Sequence, residues 1–455
     1  MKSTVARICS IVLAAGALSS LPAWSDPTPP PVPVYNEAPG RDPVHVRGLI
    51  EARSFGAVGD GVTDDTAALQ RAIEEGEHSG GVVVLNPPGP GFGGSYLVSR
   101  PLVISRPVTI LGLSRTTGIV VNHLDFDVFQ ITSANVEIGH FRIIGSKQST
   151  GAGGTAFHVM HAQGVQIYEM VMQGLWSGVL DESSGNLRIR DATFNAADRA
   201  PEAGHPRFGF KATATIPGNP NLMECTSCGV TNFGANHHTV DGFVLANGFN
   251  SLNVIKSGVL NGNHAFLMTA DGGKAPNFLV LMNAVSDHSR VGVELDEGSV
   301  TNITTLMVTS APDSSFRIGP SFAGPVSVTN AQILATAEGI DIAGGRTVSI
   351  NGGTISRIGS GDGIRIGSTG AVTIHGVTIT DIRNGSGIHI SGEHGDGWAT
   401  ISGITERQAG YGLLVDPGTA GGYTVTGNAF GANRIGAIRD DGRHPRRVVA
   451  QNSND

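Results

Sequence analysis

The stretch "VSINGGTI" (residues 348–355) is followed 24 residues later by "VTIHGVTI" (372–379). Both fit one eight-residue template, apolar-x-apolar-x-x-x-x-apolar. The alternation at the front has the period of a half-buried strand, and the polar middle marks a turn. The same template fits "VEIGHFRI" at 136, "VQIYEMVM" at 165, "LRIRDATF" at 187, "MECTSCGV" at 223 and "LNVIKSGV" at 252. It continues as "FLVLMNAV" at 278, "VSVTNAQI" at 326 and "YTVTGNAF" at 423, with weaker matches "TNITTLMV" at 301 and "ATISGITE" at 399. Most starts are close to 24 residues apart, and the largest gap, 36, separates 187 from 223.

Each unit carries a second signature, small-apolar-x-apolar. It reads "GFVL" at 242, "AFLM" at 265, "GVEL" at 292, "SFRI" at 315, "GIDI" at 339, "GIRI" at 363, "GIHI" at 387 and "GLLV" at 412. The pieces are too short for helical crossovers, which excludes doubly wound and barrel α/β folds. A leucine-rich repeat would show a leucine–asparagine signature, and none is present. Two or three short strands per repeat, repeated along the chain, build an all-β fold, a parallel β-helix or solenoid. The chain has 65 glycines, and Gly and Asn are expected at corners that need positive φ.

A solenoid has open ends that need covering. "TDDTAALQRAIEEG" (63–76) reads as an N-terminal capping helix, with Thr63 or Asp64 as N-cap, Gly76 as C-cap and Ala67, Ala68, Ala72 and Ile73 as its buried face. Asp60, Asp64 and Asp65 fit caps better than a calcium site. "GGVVVLNPPG" (80–89) then starts the first coil.

Upstream, Lys2, Arg7, the apolar run Ile8 to Leu18 and Ala23-Trp24-Ser25 read as a secretory signal peptide over 1–25. A proline-rich spacer fills 26–46, and a single β-helix domain is expected over 47–455. The chain is therefore expected to be secreted or periplasmic, with no membrane insertion. A formal net charge of −8 argues against nucleic acid and anionic membranes as partners. Cys225 and Cys228 read as a structural pair or packed thiols, since zinc would need further ligands. A monomer is the default, because no trimerisation tail follows Asn428.

"FGAVGDGVTDDTAALQRAI" (55–73) resembles the N-terminal signature of the pectate-lyase-3, or rhamnogalacturonase/epimerase-like, right-handed parallel β-helix superfamily. The repeat extends that resemblance over nearly the whole mature chain. It implies a right-handed solenoid and a polysaccharide substrate, with lyases, glycoside hydrolases and phage tailspike depolymerases among its members.

In a solenoid, surplus residues become surface loops that wall a groove. The longest coil supplies Asp198, Glu202, Arg207 and Lys211 within "NAADRAPEAGHPRFGFK" (195–211). The following coils supply His238 and Asp241, then His264, then Asp287, His288 and Arg290. Asp241 and His264 each precede the small residue of the second signature. Stacking about 4.8 Å apart should therefore make them neighbours. Carboxylates, imidazoles and a guanidinium in one groove suit acid–base cleavage of a sugar chain. Asp241, His264, His238, Asp287, Asp198 and Glu202 are the candidate catalytic residues. Arg207, Lys211, Arg290, His288, Trp176 and Arg317 are the candidate substrate-binding ones, with Trp176 as groove floor or core packing.

By comparison with polygalacturonases, "TVDGF" (239–243) makes Asp241 the candidate carboxylic acid. Asn263-His264 stands where that group has paired aspartates, and "FRIG" places Arg317 at its Arg-Ile-Lys. A hydrolase needs two carboxylates. A lyase would instead use His238 or His264 as base and a cation, Arg or calcium, on a uronate carboxylate. The expected activity is therefore lyase or hydrolase cleavage of an acidic extracellular polysaccharide, on coils 187–295. The alternative is a non-catalytic carbohydrate-binding or scaffold protein. Glu294, Arg317, Asp341, Arg365 and His389, some 24 residues apart in turn, read as a ladder of ion pairs that pins register.

Overall fold

Most templates resolve into two short strands flanking one residue of left-handed backbone, and those at 278, 301, 326 and 348 run as one continuous strand through it. Gln166–Tyr168 and Val171–Leu175 flank Glu169 (φ 50°), and Leu252 to Leu260 is divided in the same way at Lys256 (φ 50°). This computed structural model describes residues 48–86, 94–215, 221–367, 370–392 and 397–454. The signal peptide and the proline-rich spacer read from the sequence lie outside the described residues.

The template strands join a wrapped 27-stranded sheet. The second signature forms the remaining strand of each coil, and these strands stack into a 14-stranded sheet, so the solenoid has about 14 turns. Successive coils pair in parallel, in register: Val348 on Val372, Ile350 on Ile374, and Ile364 on Ile388. The inward residues make one continuous apolar column. Within it Phe210, Phe243 and Phe266 stack on successive coils, with centroids 5.1 and 5.6 Å apart.

The left-handed residue falls at the fifth template position in coil after coil. It is His140, Asp191, Ser227 and Lys256 early on, then Asn283, Thr305 and Asn330, and finally Gly352, Gly376, Gly403 and Gly427. The glycine and asparagine expectation therefore describes the later coils. The early ones hold side chains there at a conformational cost. Thr305 (φ 56°) is β-branched and the most strained type in this column. A Thr305→Gly variant is expected to gain about 0.5–1 kcal/mol, read as a raised denaturation midpoint.

In one coil the inward residues fall one position later than the sequence pattern suggested. "FLVLM" fits the template in either phase, but Leu252 pairs with Leu279 and Val254 with Leu281. Leu279, Leu281 and Ala284 are buried, while Phe278 and Val285 face outward, 42% and 37% exposed. Asn283 (φ 52°) sets the phase, because it must occupy the turn, and a one-residue slip exchanges the two faces. In "ATISGITE" the eighth template position is Glu406. It points into the core, where burial pushes its carboxyl up to about 7 and Asn433 Nδ2 donates to it at 2.7 Å.

The helix spans Thr66–Ser79, longer than read from the sequence. Asp65 is its N-cap residue, and Gly80 (φ 69°) is its C-cap in place of Gly76. Gly76 is small for another reason: a Cβ there would meet Val83 Cγ2 at 2.6 Å and Val108 Cγ2 at 2.9 Å. Ala67 is exposed and Leu69 takes the buried place, beside Ala68, Ala72 and Ile73. The three aspartates all hold backbone amides. Asp60 accepts from Val62 and Thr63, Asp64 from Thr66, and Asp65 from Val58 and Gly59. Cys225 and Cys228 are free, buried thiols. At the other end Arg447–Ala450 adds one strand on Tyr423–Thr426.

Candidate functional site

The outer face of the 14-stranded sheet carries two ladders of side chains. One follows the register His158, Leu180, Lys211, Val244, Leu267, Glu294, Arg317, Asp341, Arg365, His389. The other lies three residues earlier in each strand and includes Asp127, Phe208, Asp241 and His264.

Asp241 and His264 are neighbours. His264 Nδ1 lies 2.8 Å from Asp241 Oδ1, which also accepts from the His264 amide at 3.2 Å and from Asn263 Nδ2 at 2.9 Å. On its other side His264 Nε2 faces Glu294 Oε2 at 3.3 Å, and Arg317 Nη1 reaches Glu294 Oε1 at 3.5 Å. Burial disfavours the charged ring, but the two carboxylates outweigh it and push His264 up to about 9. The His264 hydrogen bond in turn holds Glu294 below the usual carboxylate range. At neutral pH the cluster is therefore an imidazolium clamped between two carboxylates. Two hydrogen bonds plus the ring place the carboxylates at most about 8 Å apart, with the imidazole filling the space between them.

This arrangement makes stability pH-dependent. A histidine whose folded pKa is raised stabilises fully below its ordinary value, and the contribution fades as pH rises through the folded value. Between pH 6.5 and about 9, the wild type is expected to lose up to about 3 kcal/mol that a His264→Ala variant has already forfeited. Tm measured across that range should slope downward for the wild type and stay flatter for the variant.

A second cluster of the same kind escaped the sequence reading. His158 Nδ1 lies 2.9 Å from Asp127 Oδ2 and its Nε2 lies 2.9 Å from Glu182 Oε2. Burial opposes the charge, and both carboxylates raise the ring's pKa. The signal was available, since "AFHV" (156–159) repeats the second signature with histidine in its outward place. A 340 Å³ cleft opens beside it, floored by Leu180 and Phe208 and walled by Gly204, His205 and Pro206 of the long insertion. The two clusters are four coils apart, about 19 Å. Further along, His389 sits between Asp362 (2.8 Å) and Asp416 (3.2 Å).

The other candidates separate. Lys211 Nζ pairs with Asp271 Oδ2 at 2.7 Å and lies over the Phe208 ring, so it straps the face between the clusters. Trp176 and Arg207 are 1% and 3% exposed and belong to the interior of the wall, not to a groove surface. Arg207 stacks on Trp176 at 4.9 Å and donates to the carbonyls of Ala197 and Arg199, while Trp176 Nε1 donates to the His205 carbonyl at 3.2 Å. They hold the insertion rigid and leave no face for a ligand. Asp198 accepts from the Ala235 and Asn236 amides, which ties the insertion to the next loop. Glu202 is exposed at the insertion's tip.

His238 Nε2–H donates to the His288 carbonyl at 2.6 Å, and burial pulls its ring pKa down. Asp287 accepts from Thr309 and sits 2.7 Å from His288 Nδ1. Arg290 pairs with Asp313 at 2.5 Å. The ladder read from the sequence keeps its register, with Arg365 on Asp341 at 3.1 Å and Arg317 on Glu294. His389 takes its carboxylates from outside that ladder. No group of three or more His, Cys, Asp or Glu among the described residues has a metal-binding arrangement.

Residues 49–201 match the family model for rhamnogalacturonase A/epimerase, pectate lyase-like domains. Over those residues the chain is similar to pectate lyase-like parallel β-helix proteins. The match covers the helix, the first coils and the start of the insertion. No curated protein matches the chain. Among solved structures, this β-solenoid is similar to the N-terminal fragment of gene product 12 of bacteriophage phi29. That alignment has a TM-score of 0.58 and 12% identity, over 86% of this chain and 79% of that one. It is also similar to a tailspike double mutant of E. coli bacteriophage HK620, solved in complex with a pentasaccharide. There the TM-score is 0.55 and the identity 10%, over 83% of this chain and 76% of that one. At such identities these likenesses speak for the fold alone.

Proposed function

We propose that this chain is a secreted, polysaccharide-active β-helix protein that holds an extracellular glycan along the outer face of its 14-stranded sheet, between His158 and Arg317, and cleaves it there. The observation that carries this reading is the Asp241–His264–Glu294 cluster, set on the same face as the insertion-walled cleft. The family match and the pentasaccharide bound to the HK620 tailspike support a carbohydrate as the ligand.

Between the two chemistries the electrostatics favour hydrolysis. β-Elimination needs an unprotonated base, whereas His264, pushed up to about 9, holds its proton at neutral pH and two carboxylates raise His158 as well. His238, which burial pulls down, spends its Nε2–H on the His288 carbonyl. Asp241 and Glu294 are then the working pair: the His264 imidazolium proton passes by way of Glu294 to the leaving oxygen, and Asp241 takes a proton from the attacking water and returns it to the ring, so the proton count of the cluster is restored. A second reading, glycan binding without cleavage, is favoured by one observation: every carboxylate in the cluster already accepts from a protein donor.

The purified mature protein, incubated with uronate polymers and with the exopolysaccharide of its source, decides among these readings. New reducing ends without ultraviolet-absorbing unsaturated products are expected. Unsaturated products would replace hydrolysis by elimination. Retention on the polymer with no products would leave only binding.

A further inference from the structure

The insertion has a second side. Opposite the histidine clusters, on the outer face of the wrapped sheet, lies a larger cleft of 520 Å³. Its floor is where Gly145 and Gly174 meet on adjacent coils, so closely that a Cβ on Gly145 would lie 2.0 Å from the Gly174 carbonyl oxygen. Gln173 and Asn195 project outward one above the other, register partners in adjacent strands. Lys147 stands on one rim and Phe233, 51% exposed, on the other.

The frame is rigid and the lining is uncommitted. Arg199 Nη1 donates to the Ser149 and Gly151 carbonyls at 3.1 and 2.9 Å, which fastens the insertion to the end of the strand Arg142–Thr150 that carries Lys147. Asp198 clamps the loop that presents Phe233, and Gly234 beside that ring is glycine because a Cβ would lie 2.2 Å from the Asp198 carboxyl carbon. By contrast, Lys147, Gln173, Asn195 and Phe233 have no side-chain partner among the described residues. The Lys147 ammonium has no counter-ion there, and the Arg199 guanidinium has only carbonyls. Lys211, Arg317 and Arg365 on the opposite face are each matched by a carboxylate.

We propose that this cleft is a second, non-catalytic saccharide subsite, which takes one acidic sugar unit of the same glycan. The sugar's carboxylate meets Lys147, its hydroxyls meet the Gln173 and Asn195 amides, and its ring face lies on Phe233. Planar amides, one cation and an exposed aromatic ring are the donors, charge and apolar surface that a uronate offers partners to. The class of occupant rests on the polysaccharide reading; the presence of a site rests on the cleft itself.

The test uses the full mature chain and short oligogalacturonates and oligomannuronates, with a maltooligosaccharide as neutral control. Binding is followed by calorimetry at low and moderate salt. Wild-type affinity for a uronate oligomer should exceed that for the neutral one and weaken with salt. Lys147→Ala should lower it about tenfold and remove most of the salt dependence, and Phe233→Ala should lower it by a similar factor. Tm should not move, since both side chains are exposed, and cleavage of the same oligomers on the opposite face should persist. Unchanged binding in both variants overturns the subsite and leaves the polysaccharide reading standing. Failure of the wild type to bind any of the three oligomers overturns the acidic occupant and the glycan reading with it.

Discussion

An Asp241→Asn, Glu294→Gln double variant is expected to lose cleavage by about 10²–10⁴-fold, the usual contribution of a positioned acid–base pair. Both replacements keep size and shape. The amide oxygen introduced at position 241 can still accept from the His264 ring, so the geometry of 2.8 and 3.3 Å is preserved while both negative charges go. The imidazole then loses the two carboxylates that hold its proton and should titrate well below its value of about 9. The pH profile of any residual rate should move to lower pH in step, which a merely structural role would not produce. Undiminished cleavage in the double variant would remove this cluster from the reaction and direct attention to Asp127, His158 and Glu182.

The second large effect lies beneath the site. Phe243→Ala opens a hole in the middle of the Phe210–Phe243–Phe266 stack, at a residue with no solvent exposure. Truncating a buried phenylalanine costs about 3–5 kcal/mol. Asp241 is two residues before Phe243, and His264 has the same relation to Phe266, so the cavity sits directly under the cluster. Chemical denaturation should show a lowered midpoint, and glycan affinity should fall although nothing on the surface has changed. Because each coil touches only its neighbours, the defect should also divide unfolding into two phases, one for each side of the break. A single transition with a wild-type midpoint would contradict this account of the core.

The repeat was readable from residues alone, because inward positions of a solenoid tolerate little but apolar side chains. "VSINGGTI" and "VTIHGVTI" show this unambiguously, whereas "FLVLM" is apolar in both phases and only the turn residue Asn283 decides between them. The helix end was misplaced for a related reason: Gly76 satisfies the pattern of a stop, while its true constraint comes from Val83 and Val108, distant in sequence. Register made the Asp241–His264 contact foreseeable. Glu294 was visible as a rung of the charge ladder, but its approach to His264 depends on side-chain reach across a coil, which spacing does not encode. The insertion was the least legible part. Arg207 and Trp176 have the composition of a binding surface, yet a loop of this length makes a small interior of its own and consumes both.

That small interior has a practical consequence. Trp176 stacks under a guanidinium and is hydrogen-bonded inside a partition with a recess on either side of it. Trp398, the other indole in the described chain, is far along the sequence and 37% exposed. Any sugar that enters either recess and shifts the partition alters the polarity around the first indole and leaves the second unchanged. The protein thus carries an intrinsic optical gauge of occupancy, readable without a label.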